Sequence, residues 1–467
     1  MNMKKHTLTL TVIVAMLLGG CAVAPVEMNA QQSALLADNW IKGEGQVDAQ
    51  KMRIAPDQWW ASWGDDSLNY LVAATLKNNT DIAVAQANLR SARAAVTRTG
   101  STLLPGVSLS GEGAENRRDD EATQSYNAGT AANWSLSFGG RNISEHRASL
   151  AESKATELTL EDVKSAMTSE VANQYIQLRL AQRRLAIAKD SVETYEEAKN
   201  LTQWRYQAGL VEATDYEQAN AQYENARANV ATTRHNILRY QTALSRLTVL
   251  PLAEIQALPE GNIPQPPDNI AVSIPAEMIT LRPDILAAQE SVRAALENVR
   301  VARADFFPTL SLTGSIGTTA ATVSALGSSG TGIGALVAAL SIPILNWGEA
   351  VAGTETQKAN VDAAQARYTA ALVTALEETE NALSAIRSSA AKKHSLRIAT
   401  QSSNLAADLA LQQYSSGLQD YQTVLSSQRS WLTAQDSEAS NDADWATAHV
   451  NLYQALGGGW TPEGNEK

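Results

Sequence analysis

Cysteine is nearly absent from this chain of 467 residues, which contains only Cys21. No disulfide can form within one chain, so the fold must depend on packing and hydrogen bonds. After residue 20 the sequence also lacks an apolar run of the roughly 20 residues that a transmembrane helix needs. If the chain spans a membrane, it must do so with β-strands, because strands can satisfy one another's backbone groups.

Basic residues are in the minority, and the formal net charge is -12. Removal of residues 1–20 would take away Lys4 and Lys5 and no acidic residue, which makes the charge more negative still. The sequence contains no basic patch, and an acidic excess is repelled by phosphate. These features exclude nucleic acid as a partner.

The first twenty residues have the layout of a secretory signal, with Lys4 and Lys5 before an apolar core and Gly19-Gly20 at its end. The stretch Leu18 to Cys21 resembles the lipobox of bacterial lipoproteins, in which cleavage precedes an acylated cysteine. Ala22, rather than an aspartate, follows the cysteine and resembles the pattern sent to the outer membrane. The alternative is an ordinary cleaved signal.

Proline and glycine are missing from the long segments 142–208 and 354–416, which are rich in good helix formers. A helix of 65 residues would be about 100 Å long, which is typical of coiled coils rather than globular domains. A heptad of apolar residues supports a coiled coil over a solvated single helix. Its members are Val171, Leu178, Leu185 and Val192, with Tyr175, Ala181, Ala188 and Tyr195 in the intermediate turns.

The chain repeats itself. The stretch "TDIAVAQANLRSA" from Thr80 resembles "PDILAAQESVRAA" from Pro283, and in each an aspartate precedes a proline by the same spacing. Further along, "YQAGL" from Tyr206 is matched by "YSSGL" from Tyr414. The matches predict two copies of one unit, each made of a helix, two strands, a long helix and a shorter helix.

Two pairs of strands are predicted between the helices, at about 107–113 with 126–138 and at about 308–317 with 332–345. Residues 126–138 place apolar or aromatic side chains on one face and small polar ones on the other. This alternation is typical of transmembrane barrels, although strands of a soluble sandwich share it. The charged stretch "ENRRDDE" is expected to join the first pair. Four strands cannot close a barrel, so a membrane-spanning sheet would need a dimer or a trimer.

The predicted organisation follows from these landmarks. It consists of a lipoprotein signal peptide at 1–20, an acylated segment and equatorial belt at 21–65, a first repeat at 66–250, a proline-rich linker at 251–275, a second repeat at 276–459 and a tail at 460–467. Trp59, Trp60 and Trp63 are expected to pack the belt against the helices rather than to stack on a ligand.

No enzymatic constellation is found. The histidines after the signal, His146, His235, His394 and His449, are widely separated, and no pair has the spacing of metal ligands. The sequence has no phosphate-binding loop or dinucleotide fingerprint. We therefore predict no catalytic residues, no metal and no cofactor.

Several stretches, taken in order, resemble the TolC-like outer-membrane factor family, in its lipoprotein branch. They are "WWASWGDDSLNYLV", "LRPDILAAQ", "FFPTLSLTGSIG", "SIPILNWGEA" and "ALGGGW". The resemblance implies a mainly α fold in which a homotrimer forms a 12-stranded outer-membrane β-barrel, continued by a periplasmic α-helical barrel. It also implies a passive exit duct for small toxic compounds or drugs. A periplasmic adaptor and an inner-membrane pump, of the resistance–nodulation–division class, would be its partners, and Cys21 would tether each protomer to the membrane lipid.

The resemblance also implies a periplasmic gate where the long helices turn, at Gly209 and Gly417. In the family an aspartate near the first turn hydrogen-bonds a tyrosine just before the second, and the matching residues here are Asp215 and Tyr414. The alternative is that Asp215 only caps or solvates a helix start.

Two positions depart from the family's gate. The usual basic residue after the second glycine is Gln419 here, and the aspartate that often lines the aperture is Ser426. Asp420 is nearby and could supply the ring of aspartates instead. Two alternatives to a drug-efflux duct are open: a protein-secretion or metal-export conduit of the same fold, and a lipid-anchored periplasmic coiled-coil scaffold without a pore.

Overall fold

The computed structural model describes residues 58–118, 121–267, 276–345, 347–458 and 460. The predicted signal peptide, Cys21 and most of the segment 21–65 lie outside these residues, as do residues 268–275 and 461–467. Within the described ranges, no helix is both long enough and apolar enough to cross a membrane.

The described residues are mainly helical, with four strands between the helices. The α-helices are α1 Asp66–Asn78, α2 Thr80–Ser101, α3 Arg141–Gln207, α4 Ala213–Thr248, α5 Leu252–Gln256, α6 Pro283–Arg303, α7 Trp347–Ser415 and α8 Tyr421–Ala455. The strands are β1 Gly106–Arg118, β2 Glu121–Ser137, β3 Thr309–Ala320 and β4 Gly332–Ser341. The order α2–β1–β2–α3–α4 recurs as α6–β3–β4–α7–α8, which confirms the predicted duplication.

The two long helices follow from the absence of residues that interrupt helices. Helix α3 has 67 residues and α7 has 69, and each ends just before a glycine. Along α3 the predicted heptad faces the interior: Val171 and Tyr175 are fully buried, Leu178 is 2% exposed, and Ala188 is 3% exposed. The heptad thus marks the buried side of this helix, as the sequence predicts.

The described part of the chain divides into two compact units. The first unit contains residues 86–159 and 284–371, which include all four strands. The second unit contains residues 58–85, 160–283 and 372–460, apart from the undescribed positions.

The sheet of the first unit is antiparallel throughout, in the order β1–β2–β3–β4. Its register aligns Leu136 of β2 with Leu310 of β3, and Leu310 with Leu340 of β4. Residues directly opposite one another share a face of a sheet, so the alternation of β1, β2 and β3 adds up to one apolar face, while β4 carries apolar residues on both of its faces. Within the described chain, β1 and β4 each have one edge without a partner strand.

The first hairpin is longer than the sequence suggests. Residues Glu115 to Arg118, which were expected to form a charged turn, continue β1, and Glu115 pairs with Gln124. The ladder continues because its hydrogen bonds join backbone groups, which charged side chains also carry. Glu115 accepts a hydrogen bond from Gln124 across the strands, with 3.4 Å between Oε2 and Nε2.

In the main core of the second unit, helix α1 and the residues just before it pack against α3, α4 and α8. Trp59 is 1% exposed and stacks on Tyr453 with 4.8 Å between ring centroids, so the tryptophan cluster has the packing role that was expected. A polar network adjoins this core. The hydroxyl of Tyr175 donates to Asp65, Arg179 donates to Tyr175 and to the Pro259 carbonyl, and burial raises the pKa of Tyr175 to about 12.

The closing "ALGGGW" stretch requires glycine at position 458. Gly458 has a φ of +66°, and a Cβ placed there would lie 2.4 Å from the Cβ of Ser165 on α3. We expect Gly458→Ala to lower stability by about 2–4 kcal/mol, because left-handed strain and overpacking act together. Thermal unfolding followed by tryptophan fluorescence measures the loss.

Gly64→Ala is the matched control, since Gly64 has a φ of +65° but would place its Cβ in open space. It should show the strain alone, about 1–2 kcal/mol. Equal losses in the two variants would mean that contact with Ser165 does not limit this position.

Candidate functional site

The two turns at the ends of the long helices have the same backbone structure. Gly209 and Gly417 have φ values of 70° and 77°, in the left-handed region that glycine adopts readily. In the first turn the Leu210 amide donates to the Arg205 carbonyl, and in the second the Leu418 amide donates to the Gln413 carbonyl, each at 2.9 Å. This is the pattern of a Schellman motif, which satisfies the last carbonyls of a helix.

The helices that follow the turns begin differently. At the start of α8 the Asp420 carboxylate accepts hydrogen bonds from the amide and the hydroxyl of Thr423, at 2.8 and 2.7 Å. These bonds lower the pKa of Asp420. At the start of α4 the residue in the same position is Glu212, whose side chain makes no capping bond. Asp420, expected near the aperture, is therefore an N-cap that stays ionised.

Tyrosine rings fill the interior beneath the turns. Tyr414 is 2% exposed and Tyr421 is 1% exposed, with 5.7 Å between their ring centroids. They belong to a core cluster with Tyr195 of α3 and Ala219 of α4, so residues from four helices meet here. Burial raises the pKa of both Tyr414 and Tyr421, which keeps their hydroxyls neutral.

Arg205 is the residue of this site that the sequence reasoning missed. It lies in the last turn of α3, with its guanidinium 4.5 Å from the centroid of the Tyr414 ring. Its Nη1 donates to the backbone carbonyl of Tyr414, near the C-terminal end of α7, where a positive charge is favourable. The available signal was a basic residue four positions before the turn glycine in "WRYQAGL".

The hydrogen bond expected between Asp215 and Tyr414 is not formed in this structure. The Tyr414 hydroxyl is buried and has no hydrogen-bond partner among the described residues. Burial is the main cause that raises the pKa of Asp215, and repulsion from Glu212 and Asp420 adds to it, while Arg205 acts in the opposite direction. Arg205, not Asp215, makes the direct contacts with Tyr414.

The other two predicted gate positions lie at the surface. Gln419 is exposed and makes no side-chain hydrogen bond with a described residue. Ser426 is also exposed, and its hydroxyl donates to the Thr423 carbonyl of the same helix at 3.0 Å. Over the part of the chain that the structure describes, no group of three or more potential ligands could hold a metal ion.

Comparison with known proteins identifies the class to which this fold and these turns belong. Residues 71–248 and 274–458 match the family "Outer membrane efflux protein". The chain is 31% identical over 463 residues to outer membrane protein OprJ of Pseudomonas aeruginosa, covering 96% of this chain and 95% of that protein. It is 29% identical over 473 residues to the antibiotic efflux pump outer membrane protein ArpC of Pseudomonas putida, covering 98% and 96%.

Among solved structures, the outer-membrane channel OprN superposes with a TM-score of 0.83 at 28% identity, covering 95% of this chain and all of that one. The chain therefore belongs to the outer membrane efflux protein family. This confirms the predicted family, its mainly helical channel fold and its outer-membrane location.

The environment of Asp215 predicts a pH effect on the turns. Because its pKa is raised in the folded protein, the stability it contributes is fully present below its ordinary value of 3.8 and is lost as the pH rises through the folded pKa. Asp215→Asn should therefore slow amide exchange in residues 205–220 at pH 7, and its advantage over wild type should shrink towards pH 4. Hydrogen-exchange mass spectrometry measures both.

Glu217→Gln, which removes one charge from an exposed position on the same helix, should leave exchange in this segment close to wild type. Faster exchange in Asp215→Asn at pH 7 would contradict the repulsion and indicate instead that the carboxylate stabilises the turn.

Proposed function

We propose that this chain forms the outer-membrane exit duct of a tripartite efflux pump and conducts small toxic compounds passively out of the periplasm. Three copies would combine their four strands each into one 12-stranded barrel, and the long helices would continue the passage below it. The observation that carries this proposal is the sheet of the first unit, which has one apolar face and two edges without partners.

The apolar face is well suited to lipid. Leu109 of β1, Ile316 of β3 and Leu336 of β4 lie on it and are 81%, 71% and 84% exposed. Every residue of β4 is exposed in the single chain. Large apolar surfaces of this kind mark interfaces with membranes or other proteins. An outward band of apolar residues is what a transmembrane barrel requires.

On β1, β2 and β3 the opposite face of the sheet is polar and well suited to a water-filled bore, whereas β4 places Ile333 and Val337 there. Thr313 of β3 donates to Asn133 of β2 at 3.1 Å, and Thr319 donates to Asn127 at 2.6 Å. Ser311 and Ser135 are paired on the same face. Small polar side chains that bond across strands leave room inside a barrel and remain hydrated.

The free edges of β1 and β4 support oligomerisation. In lipid, each unsatisfied backbone group costs several kcal/mol, so an open edge must be closed by another strand. Since about eight strands are the minimum for a barrel, two copies would suffice and three would give twelve. The trimer follows from the resemblance of the whole chain to the family.

Partners and cargo follow from the family rather than from particular residues. ArpC is described as part of an antibiotic efflux pump, and the same kind of system would supply this chain with a periplasmic adaptor and an inner-membrane pump of the resistance–nodulation–division class. We assign no catalytic role to the chain, because its relatives are described as outer membrane efflux proteins and channels.

At the turns, we assign the closed state of the gate to Arg205 and Tyr414. Arg205 lies at the end of α3 and Tyr414 near the end of α7, so their contact ties together the two helices that must separate for the passage to widen. It supplies a cation to the second turn, where Gln419 replaces the family's basic residue. Asp215 stays part of the site through its interaction with Arg205.

Two other functions fit less well. A protein-secretion or metal-export conduit would have the same fold, but no feature of the described residues favours such a cargo. A periplasmic scaffold without a pore would leave the apolar face of the sheet exposed to water, which is unfavourable by about 25 cal/mol for each Å².

Single-channel recording in planar bilayers tests the function and the gate together. Wild type should open rarely, and Arg205→Met should raise the open probability about tenfold or more. A hydrogen bond from a charged donor contributes about 1.5–3 kcal/mol and a cation–π contact about 0.5–2 kcal/mol, so losing both weakens the closed state. Tyr414→Phe should behave as wild type, because it removes only an unpaired hydroxyl.

Arg227→Met is the matched control, since Arg227 is exposed, pairs with Glu224 and lies over the Tyr223 ring of its own helix, and no described hydrogen bond or ion pair joins it to α7. If Tyr414→Phe alone opened the channel, the result would favour the hydrogen bond between Asp215 and Tyr414 as the contact that closes the gate. No conductance from any folded, oligomeric variant would reject the duct and favour the scaffold.

The lipid anchor at Cys21 is tested separately. Cys21→Ser should abolish incorporation of labelled palmitate, because the lipobox cysteine carries lipid on its thiol and its new amino group, and Cys21 is the one cysteine of the sequence. Metabolic labelling and membrane fractionation measure the result. Ala22→Asp, the control, should keep the label but change the membrane in which the protein is found. Labelling that persists in Cys21→Ser would contradict the lipobox.

A further inference from the structure

Residues 321–331 form the loop that joins β3 to β4, at the end of the sheet that lies away from the helices. Their sequence, "ATVSALGSSGT", contains no charged residue. The corresponding end of the first hairpin contains "ENRRDDE", in which nearly every residue is charged. The end of the first hairpin therefore requires water around it, whereas the loop 321–331 does not.

The apolar face of the sheet changes character at Tyr126 of β2, which is paired with Ala320 of β3. The next pair on this face is Glu115 with Gln124, which are polar. At roughly 3.3 Å per residue and a strand tilt of about 40°, the face between Leu136 and Tyr126 is about 25 Å tall, the height of the apolar band of a transmembrane barrel. Such bands end in aromatic residues, so Tyr126 marks the level of the outer membrane surface.

The loop begins at this level and folds back over the apolar face. Thr318 stands on that face, two residues after Ile316. Its hydroxyl accepts a hydrogen bond from the Gly327 amide at 3.0 Å and donates to the Thr331 hydroxyl at 2.7 Å. An amide bonded to the Thr318 side chain lies on the side to which that side chain projects. Ala320, on the same face, is only 8% exposed.

The polar face of the sheet has no such contact with the loop. Thr319, which projects to the polar face, donates through its hydroxyl to Asn127 of β2. In the part of the chain that the structure describes, no side-chain hydrogen bond joins the polar face to residues 321–331. The loop therefore lies beside the sheet on its apolar side.

The loop presents apolar side chains on this side. Val323 begins a short 3₁₀ turn that ends at Ala325, between Ala320 and Gly327, and it is 63% exposed. The glycines Gly327 and Gly330 have φ values of 81° and 88°, and these left-handed residues let the chain return to β4 within a few positions. An exposed valine next to an apolar face is unfavourable in water and favourable against lipid.

We propose that the loop 321–331 lies in the interface of the outer leaflet, with Val323 in contact with lipid. The inference rests on the proposed duct, because the sheet must span a membrane for its apolar face to meet lipid. Lipid is the partner that fits, since the loop continues the apolar face, carries no charge and lies at the level of Tyr126. A loop in this position does not cover the outer end of the bore.

Fluorescence quenching in lipid vesicles tests the proposal. Val323→Cys in a full-length Cys21→Ser background gives a single thiol for an environment-sensitive dye, and the protein is reconstituted in phosphatidylcholine with nitroxide-labelled phospholipid. The dye at position 323 should lose about half of its fluorescence or more, because interfacial residues lie within roughly 5–10 Å of the boundary between headgroups and acyl chains. Its emission should also shift to the blue.

Two further labelled positions make the result decisive. Leu336→Cys, on the apolar face of β4, should be quenched strongly, and Asn116→Cys, on the polar face of β1 beyond Tyr126, should not be quenched. Quenching at 336 without quenching at 323 would overturn the loop's position and leave the duct intact. Equal quenching at 116 and 323 would also overturn it. No quenching at 336 in folded protein would reject the membrane-spanning sheet and the loop's position with it.

Discussion

The unpaired edges of a four-stranded sheet are the constraint on which the rest of this protein depends. A strand edge in lipid must be hydrogen-bonded, so β1 and β4 require strands from another chain. The apolar face of the sheet also requires a covering, because Leu109 and Leu336 are largely exposed in the single chain and apolar surface is unfavourable in water. The sheet is thus a part that is complete only in an assembly.

The ends of the long helices show how one cation can serve two purposes. Both turns depend on a left-handed glycine, but the first also places Arg205 against the Tyr414 carbonyl and ring. This contact satisfies a helix terminus of α7 and covers a buried tyrosine at the same time. The two aspartates near this contact differ in their charged forms. Burial disfavours the ionised form of Asp215, whereas hydrogen bonds at the helix start favour the ionised form of Asp420.

The architecture could be predicted from the sequence, because the apolar residues recur at regular spacings over long, uninterrupted stretches. The duplication, the buried heptad of α3 and the alternation of β2 all follow from local patterns. Strand ends were less predictable, because a backbone ladder continues through charged residues such as Glu115. Asp420 could have been recognised as a cap, because aspartate directly before a helical run is a preferred N-cap residue. Arg205 could not be paired with Tyr414, since its partner depends on tertiary packing over 209 positions.

The duplication is imperfect at the position of Arg205, whose contact with Tyr414 joins the two turns. The spacing that relates "YQAGL" to "YSSGL" places Gln413 where the first repeat has Arg205. The second repeat therefore has no cation to lay over a ring of the first, and the contact runs in one direction only. In the proposed assembly of three chains, six helical hairpins would surround the passage, each made of a long helix and the shorter helix that follows it. The contact between Arg205 and Tyr414 would join the two hairpins of each chain. The end of the passage at the turns would then have threefold symmetry, although six hairpins of similar backbone approach sixfold symmetry.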